Sequence, residues 1–170
     1  MGTMTNGTRA ADGAHTKNGV PTGYTSLTPH VVASPASRAL EFYRAVFGAR
    51  VVDEIRMGDF IGHATLELAS GRFTVSDALE AYELVAPSGG PASMTLAIYV
   101  PDVDATIERA IAAGARLREP VSTFVSGDRF GSIVDPFGVR WSVMTRVEDL
   151  SPEDSAERVR RWAATQAPAC

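Results

Sequence analysis

The chain has 170 residues and a formal charge of −4. Apolar residues make up 45% and charged residues 21%, a globular balance that excludes a wholly disordered chain. The acidic total argues against a nucleic-acid partner. The longest apolar runs, such as Leu96–Val100, are far too short to cross a bilayer, and no secretory leader pattern opens the chain. The single cysteine, Cys170, is the last residue, so neither an internal disulfide nor a cysteine-based metal site is available. These features lead to the expectation of a cytoplasmic protein with no membrane partner.

Residues 1–23 are rich in Gly, Asn, Thr and Ala, which bury too little surface to offset the entropy of ordering. They read as a disordered tail. From Leu27 to Ala33 the chain is apolar and β-branched enough for a strand. Ser34-Pro35 then reads as an N-cap followed by Pro in the first helical turn. Ala39, Leu40, Tyr43, Val46 and Phe47 follow at helical spacing, and Gly48 stops the helix. Arg50–Met57, Phe60–Leu68 and Arg72–Asp77 read as three strands, separated by Gly58-Asp59 and Ser70-Gly71.

After an aperiodic break at Val85–Pro91 the same order returns. Ser93–Val100 is a strand, Pro101-Asp102 opens a helix with Val103, Ile107, Ala110 and Ile111 on one face, and Gly114 ends it. Ala115–Val121, Asp128–Val134 and Val139–Thr145 are three more strands. Phe47-Gly48-Ala49-Arg50-Val51 is echoed by Ala113-Gly114-Ala115-Arg116-Leu117. The sequence therefore reads as a duplicated βαβββ unit, with modules at 24–85 and 92–147. One copy is too small to close its own core, so the two should share one. From 148 to 170 a helix and tail follow, opened by Ser151-Pro152-Glu153-Asp154. Its narrow stripe of Ala156, Val159, Trp162 and Ala163 packs either on its own subunit or on a second one.

Paired βαβββ units, Phe42-Tyr43 in the first helix, Phe47-Gly48-Ala49 at its end and Asp135-Pro136-Phe137-Gly138 before the last strand together resemble the vicinal oxygen chelate superfamily. That group includes glyoxalase I, extradiol dioxygenases, and bleomycin- and fosfomycin-resistance proteins. Thr28-Pro29-His30, His63-Ala64, Ser76-Asp77, Gly127-Asp128-Arg129-Phe130-Gly131 and Glu148-Asp149-Leu150-Ser151-Pro152-Glu153 look like its PhnB-like branch. The resemblance implies an α+β fold. Two tandem modules would form a curved, open mixed sheet with helices on the convex face and a ligand on the concave one. Alternation then sends Val139, Trp141 and Val143 toward the helices, and Arg140, Ser142 and Met144 toward the concavity. On the second strand of the first module, Ala64, Leu66 and Leu68 take the core face and His63, Thr65 and Glu67 the other.

Catalytic members of that superfamily hold a divalent metal with His and Glu side chains from four strands. The matching positions here are Thr28, Thr95, Ser142, and Ser76 or Thr74. Hydroxyls are poor ligands for Zn²⁺, Ni²⁺ or Fe²⁺ beside imidazole and carboxylate. His63 and Glu67 lie about 13 Å apart along one strand and cannot share an ion. A site built from His30, His63 and a carboxylate of another strand is the one metal arrangement left. His15 lies in the tail.

The expected ligand-binding residues are His30, His63, Ser76, Thr95, Arg129 and Ser142, with His30 and His63 also the candidate acid–base pair. Arg129 either pairs with Asp128 as a clasp or recognises an anionic or planar ligand. No nucleophile elbow and no phosphate-binding Gly-rich loop is present. The leading expectation is a homodimeric binding module that sequesters a planar or aromatic metabolite or antibiotic with no cofactor. The alternative is a lyase, isomerase or dioxygenase, either with a divalent metal in an unusual ligand set or metal-free through His30 and His63. A purely structural or regulatory protein ranks last, because it leaves the polar concave residues without a role.

Overall fold

The computed structural model describes residues 9–88 and 90–166. Cys170 and the outer ends of both tails lie outside the described residues, as does Gly89 in the break between the modules.

The eight module strands form two four-stranded mixed sheets with one shared plan. In the first module, β3 (His30–Val32) leads into α1 (Ala36–Phe47), then β4 (Arg50–Met57), β5 (Phe60–Glu67) and β6 (Arg72–Ser76). In the second, β7 (Leu96–Tyr99) leads into α2 (Val103–Ala112), β8 (Arg116–Thr123), β9 (Asp128–Val134) and β10 (Arg140–Arg146). The strand orders are β3-β6-β5-β4 and β7-β10-β9-β8. Each first strand pairs parallel with the last of its module, and the other pairs are antiparallel. This identical order confirms the duplication. The ladder does not run continuously between modules, so the expected curved sheet is two sheets, and no barrel closes.

Both outer strands, β4 and β8, carry register shifts against their neighbours. Pro120 in β8 has no N–H to offer the ladder, which suits an edge strand. Each sheet buries one face against its helix. Val31, Leu66, Phe73 and Val75 meet α1, and Ile98, Ile133, Trp141 and Val143 lie on the helix-covered side of the second sheet. The alternation read for β10 holds: Trp141 and Val143 are buried while Arg140, Ser142 and Met144 are half-buried.

The modules share their core. Phe47 and Tyr43 of α1 lie 4.8 and 5.4 Å, ring centre to ring centre, from Trp141 of β10, and Phe73 lies 5.8 Å from it. Beneath this cluster the buried Asp135 accepts four hydrogen bonds. Its Oδ1 takes the backbone N–H groups of Phe137 and Val139, and its Oδ2 takes the Tyr43 hydroxyl and the Trp141 indole N–H. Burial pushes this carboxyl above its usual range, while the four donors pull it back. The same burial, with the carboxylate beside it, drives the Tyr43 phenol well up.

Three local readings change. The helix start at Ser34-Pro35 has no side-chain cap of its own, and Pro35 precedes the helix in an extended conformation. Asp77 does the capping instead: its Oδ1 accepts from Ala36 N at 2.8 Å and its Oδ2 from Ile61 N at 2.8 Å. The first strand begins only at His30. The segment that reads as a disordered tail contains a hairpin, β1 (Thr16–Lys17) and β2 (Val20–Pro21), turned by Asn18 and Gly19 in left-handed conformations. Asn-Gly is a strong short-range hairpin signal, and it sets the turn here. The C-terminal helix, α3 (Pro152–Gln166), follows the expected start, with Asp154 N donating to Ser151 Oγ at 3.0 Å. Its Trp162 meets Phe124 of the same chain edge to face, ring centres 4.8 Å apart. Among the described residues no helix is long and apolar enough to cross a membrane.

Candidate functional site

The face of the first sheet that carries no helix holds a histidine pair. β3 and β6 run parallel with His30 beside Thr74, and β6 and β5 place Thr74 beside Thr65. Thr74 and Ser76 are two residues apart, so both hydroxyls rise on this face. They grip the His30 ring at its two nitrogens, Nδ1 at 2.8 Å from Thr74 Oγ1 and Nε2 at 3.1 Å from Ser76 Oγ. His63 approaches from β5. Its ring is nearly parallel to that of His30, with 12° between planes and 6.5 Å between centres. His63 Nε2 meets Thr65 Oγ1 at 3.2 Å. His30 is open to solvent on one side and packed on the other, and this burial lowers its basicity, with His63 adding to the effect.

The N-terminal arm completes this face. Tyr24 brings its hydroxyl 3.2 Å from Thr65 Oγ1, so a hydrogen-bonded chain runs from Tyr24 through Thr65 to His63. Thr65 is fully buried although no helix covers it. Arg72 secures the arm. Its guanidinium lies over the Tyr24 ring at 4.9 Å and donates to Thr22 O at 3.3 Å. Glu67 holds Arg72 with two hydrogen bonds and also pairs with Arg50. Gly23, at φ +86°, passes so close that a Cβ there would sit 2.6 Å from that guanidinium.

His30 also opens onto a cleft of about 470 Å³ between the modules. Val32, Val85, Met94, Leu96 and Arg140 are among the residues that line it. This is a volume suited to a small organic molecule, with apolar walls and few polar groups. The Arg140 guanidinium is braced by Ser132 Oγ at 3.1 Å and Glu119 Oε1 at 3.0 Å.

Of the expected site residues, the structure brings together His30, His63 and Ser76, and adds Thr74. Thr95 and Ser142 form a separate pair on the second sheet, 3.4 Å apart. Arg129 is elsewhere. It faces α2 and is held bidentately by Asp104 at 2.6 Å, whereas Asp128 pairs with Arg146. The clasp exists with a different acid, and the guanidinium is turned from the histidine pair. His15 is exposed in the arm. Sequence reading does not find Tyr24 and Arg72 as parts of the site, because only tertiary packing brings them to Thr65. Arg140, which alternation turns to the concave face, lines the cleft.

The superfamily's metal does not fit this donor set. Thr28 Oγ1 bonds Thr25 O at 3.3 Å, Thr74 and Ser76 are occupied by His30, and Thr95 is paired with Ser142. Among the described residues no group of three or more His, Cys, Asp or Glu is placed to hold an ion. The arrangement offers flat imidazole faces, hydroxyls and a proton-accepting ring beside an apolar cleft.

Comparison with known proteins agrees with this architecture. An uncharacterised protein of Mycobacterium tuberculosis, Rv0887c, is 29% identical over 139 residues, covering 76% of this chain and 79% of its own. The crystal structure of TioX from Micromonospora sp. ML1 superposes with a TM-score of 0.58 at 26% identity, covering 72% of this chain and 98% of TioX. A PhnB protein from Bacillus cereus, described as a putative 3-demethylubiquinone-9 3-methyltransferase, shares the fold at a TM-score of 0.55 and 19% identity, covering 71% and 99%. Residues 28–143 match the family model described as Glyoxalase/Bleomycin resistance protein/Dioxygenase superfamily, and the chain belongs to that superfamily.

Proposed function

We propose that this chain is a small-molecule-binding protein that holds a planar or aromatic molecule in the cleft between its modules, against His30 and His63, without metal chemistry. The observation that carries this reading is that the positions matching the superfamily's metal ligands hold hydroxyls engaged elsewhere, Thr74 and Ser76 on the His30 ring and Thr95 on Ser142, beside a cleft of about 470 Å³. His30 and Arg140 on the cleft wall would orient a guest, and the apolar walls would remove it from water. A thermal-shift panel of polycyclic aromatic compounds and aromatic antibiotics tests it, because a ligand selective for the folded state raises stability by mass action. The expected result is a stabilising compound whose effect disappears in Val32→Trp, which fills the cleft. A panel that gives no shift at millimolar concentration overturns the reading.

A second reading, metal-free acid–base catalysis, draws on the chain from Tyr24 through Thr65 to His63. It requires turnover by metal-stripped protein that is lost in both His30→Ala and His63→Ala. We also propose a homodimer. Ile55 and Met57 on β4 and Leu117 on β8 are exposed on edge strands, and a second copy would cover them. Sedimentation showing only a monomer at micromolar concentration refutes that.

A further inference from the structure

The hydroxyls around His30 have other obligations. Thr74 Oγ1 lies 3.4 Å from Pro29 O and Ser76 Oγ 3.0 Å from Asp77 O, each placed to donate. A hydroxyl owns one proton. With both protons on carbonyls, the two oxygens present only lone pairs to the ring, and both ring nitrogens must donate. That state of His30 is the imidazolium. In the neutral ring one hydroxyl must turn back and donate. Thr74 is the one free to turn, because Pro29 O already accepts Thr74 N at 2.9 Å and stays satisfied. The neutral ring is then the Nε2–H tautomer, donating to Ser76 and accepting from Thr74.

The charged state lacks a counter-ion among the described residues. Among the described residues no carboxylate bonds either imidazole. The nearest acid along β6, Asp77, spends both oxygens on backbone N–H groups. Glu67 on β5 is held by Arg72 and Arg50. The other titratable groups around the site are His63 on β5, Tyr24 of the arm, and Arg140 on the cleft wall, which Glu119 braces. None of these supplies an unpaired negative charge. Burial and His63 accordingly hold His30 toward its neutral form when nothing is bound.

We infer that the guest carries an acidic group, and that its anion is bound together with one proton that His30 takes from solvent. The proton enters at Nδ1, the Thr74 hydroxyl swings to Pro29 O, and the anion supplies the missing counter-charge. This rests on the cleft being a binding site and adds the chemical class of what it binds: a planar organic acid, a carboxylate or phenolate on an apolar ring system.

The test uses the full chain with 2-naphthoate and its neutral isostere 2-naphthamide. Calorimetry in two buffers of different ionisation enthalpy counts protons taken up, and ¹⁵N spectra of the imidazoles report the tautomer. Naphthoate is expected to bind about tenfold tighter than the amide near pH 6, with the advantage shrinking toward pH 8. Proton uptake accompanies naphthoate alone, and free His30 shows the Nε2–H pattern. His30→Gln, which keeps a hydrogen-bonding side chain that does not titrate, is expected to abolish uptake and equalise the probes. If wild-type protein binds both probes equally, or binds naphthoate without proton uptake, the inference is overturned while the cleft remains a binding site. If neither probe binds at millimolar concentration, the inference falls together with the binding reading for this class of molecule.

Discussion

The hydroxyl of Tyr43, in the first helix, donates to the Asp135 carboxylate of the second module at 2.8 Å, with both groups buried. This contact joins the two copies at the centre of their shared aromatic cluster. Tyr43→Phe removes one of four donors and leaves Asp135 Oδ2 with the Trp141 indole. A loss of about 1–2 kcal/mol is expected from a single bond to a charged acceptor. Asp135→Asn places an amide N–H₂ against groups that themselves donate, and about 2–4 kcal/mol is expected. Urea unfolding measures both. In the Tyr43→Phe background the Asn substitution should cost measurably less, since the pair is coupled. Strict additivity would mean that the hydroxyl and the carboxylate do not act together.

Asp77 ties the start of α1 to the start of β5 through two backbone N–H groups. Asp77→Ala leaves both donors unpaired in a buried place, at an expected cost of about 2–4 kcal/mol. Ser34→Ala, at the position that sequence reading takes for the cap, should change stability by less than about 0.5 kcal/mol. Chemical denaturation of the two variants separates the long-range cap from the local one. A larger effect at Ser34 would overturn the assignment.

Much of the fold was readable because it is periodic and repeated. The α1 stripe, the Gly48 stop, the bounds of β4 and β9, and Asp102 as the cap of α2 all come from local chemistry. The order of elements in one copy could be checked against the other. What escaped was chemistry between distant segments. Asp77 caps a helix that begins 41 residues earlier, so no local window contains both partners. Local sequence offers Arg129 either its neighbour Asp128 or a ligand, but alternation along β9 turns it to α2, where Asp104 holds it. Tyr24 sits at the edge of a low-complexity stretch, and only the seating of the arm on Arg72 brings it to Thr65. At the site, face alternation puts His63 and Thr65 together, and the hydroxyl positions follow from the family resemblance. That two of those hydroxyls would clasp His30 required knowing the β3–β6 register.

The unliganded protein should lose stability in two separate pH windows. His30 is less basic folded than unfolded, so its contribution is complete above about pH 6.5, the unfolded value, and fades as pH falls through the lower folded value. His30→Gln should flatten that window. Glu67 is held below the usual carboxylate range by its bonds to Arg72 and Arg50. Its contribution is present above about pH 4.3 and is lost on further acidification. Glu67→Gln should therefore lower the urea midpoint near neutral pH, with the gap to wild type closing in acid. A gap constant with pH would show that the carboxylate charge is not what holds Arg72.

The N-terminal arm should be a working part of the histidine face and not an appendage. Tyr24→Phe removes only the hydroxyl and leaves the ring under Arg72. Among the described residues Thr65 then keeps His63 as its side-chain partner, and the His63 ring nitrogen shifts should move while global stability changes by about 1 kcal/mol or less. Gly23→Val acts differently. A side chain there meets the Arg72 guanidinium and demands a left-handed backbone that Val disfavours, so the arm should lift from the sheet. Hydrogen exchange across residues 16–24, and at the Thr65 amide, should quicken in this variant, while exchange in α2 and β9 stays as in wild type. Protection at Thr65 that survives Gly23→Val would mean that His63 and the sheet cover that position without the arm.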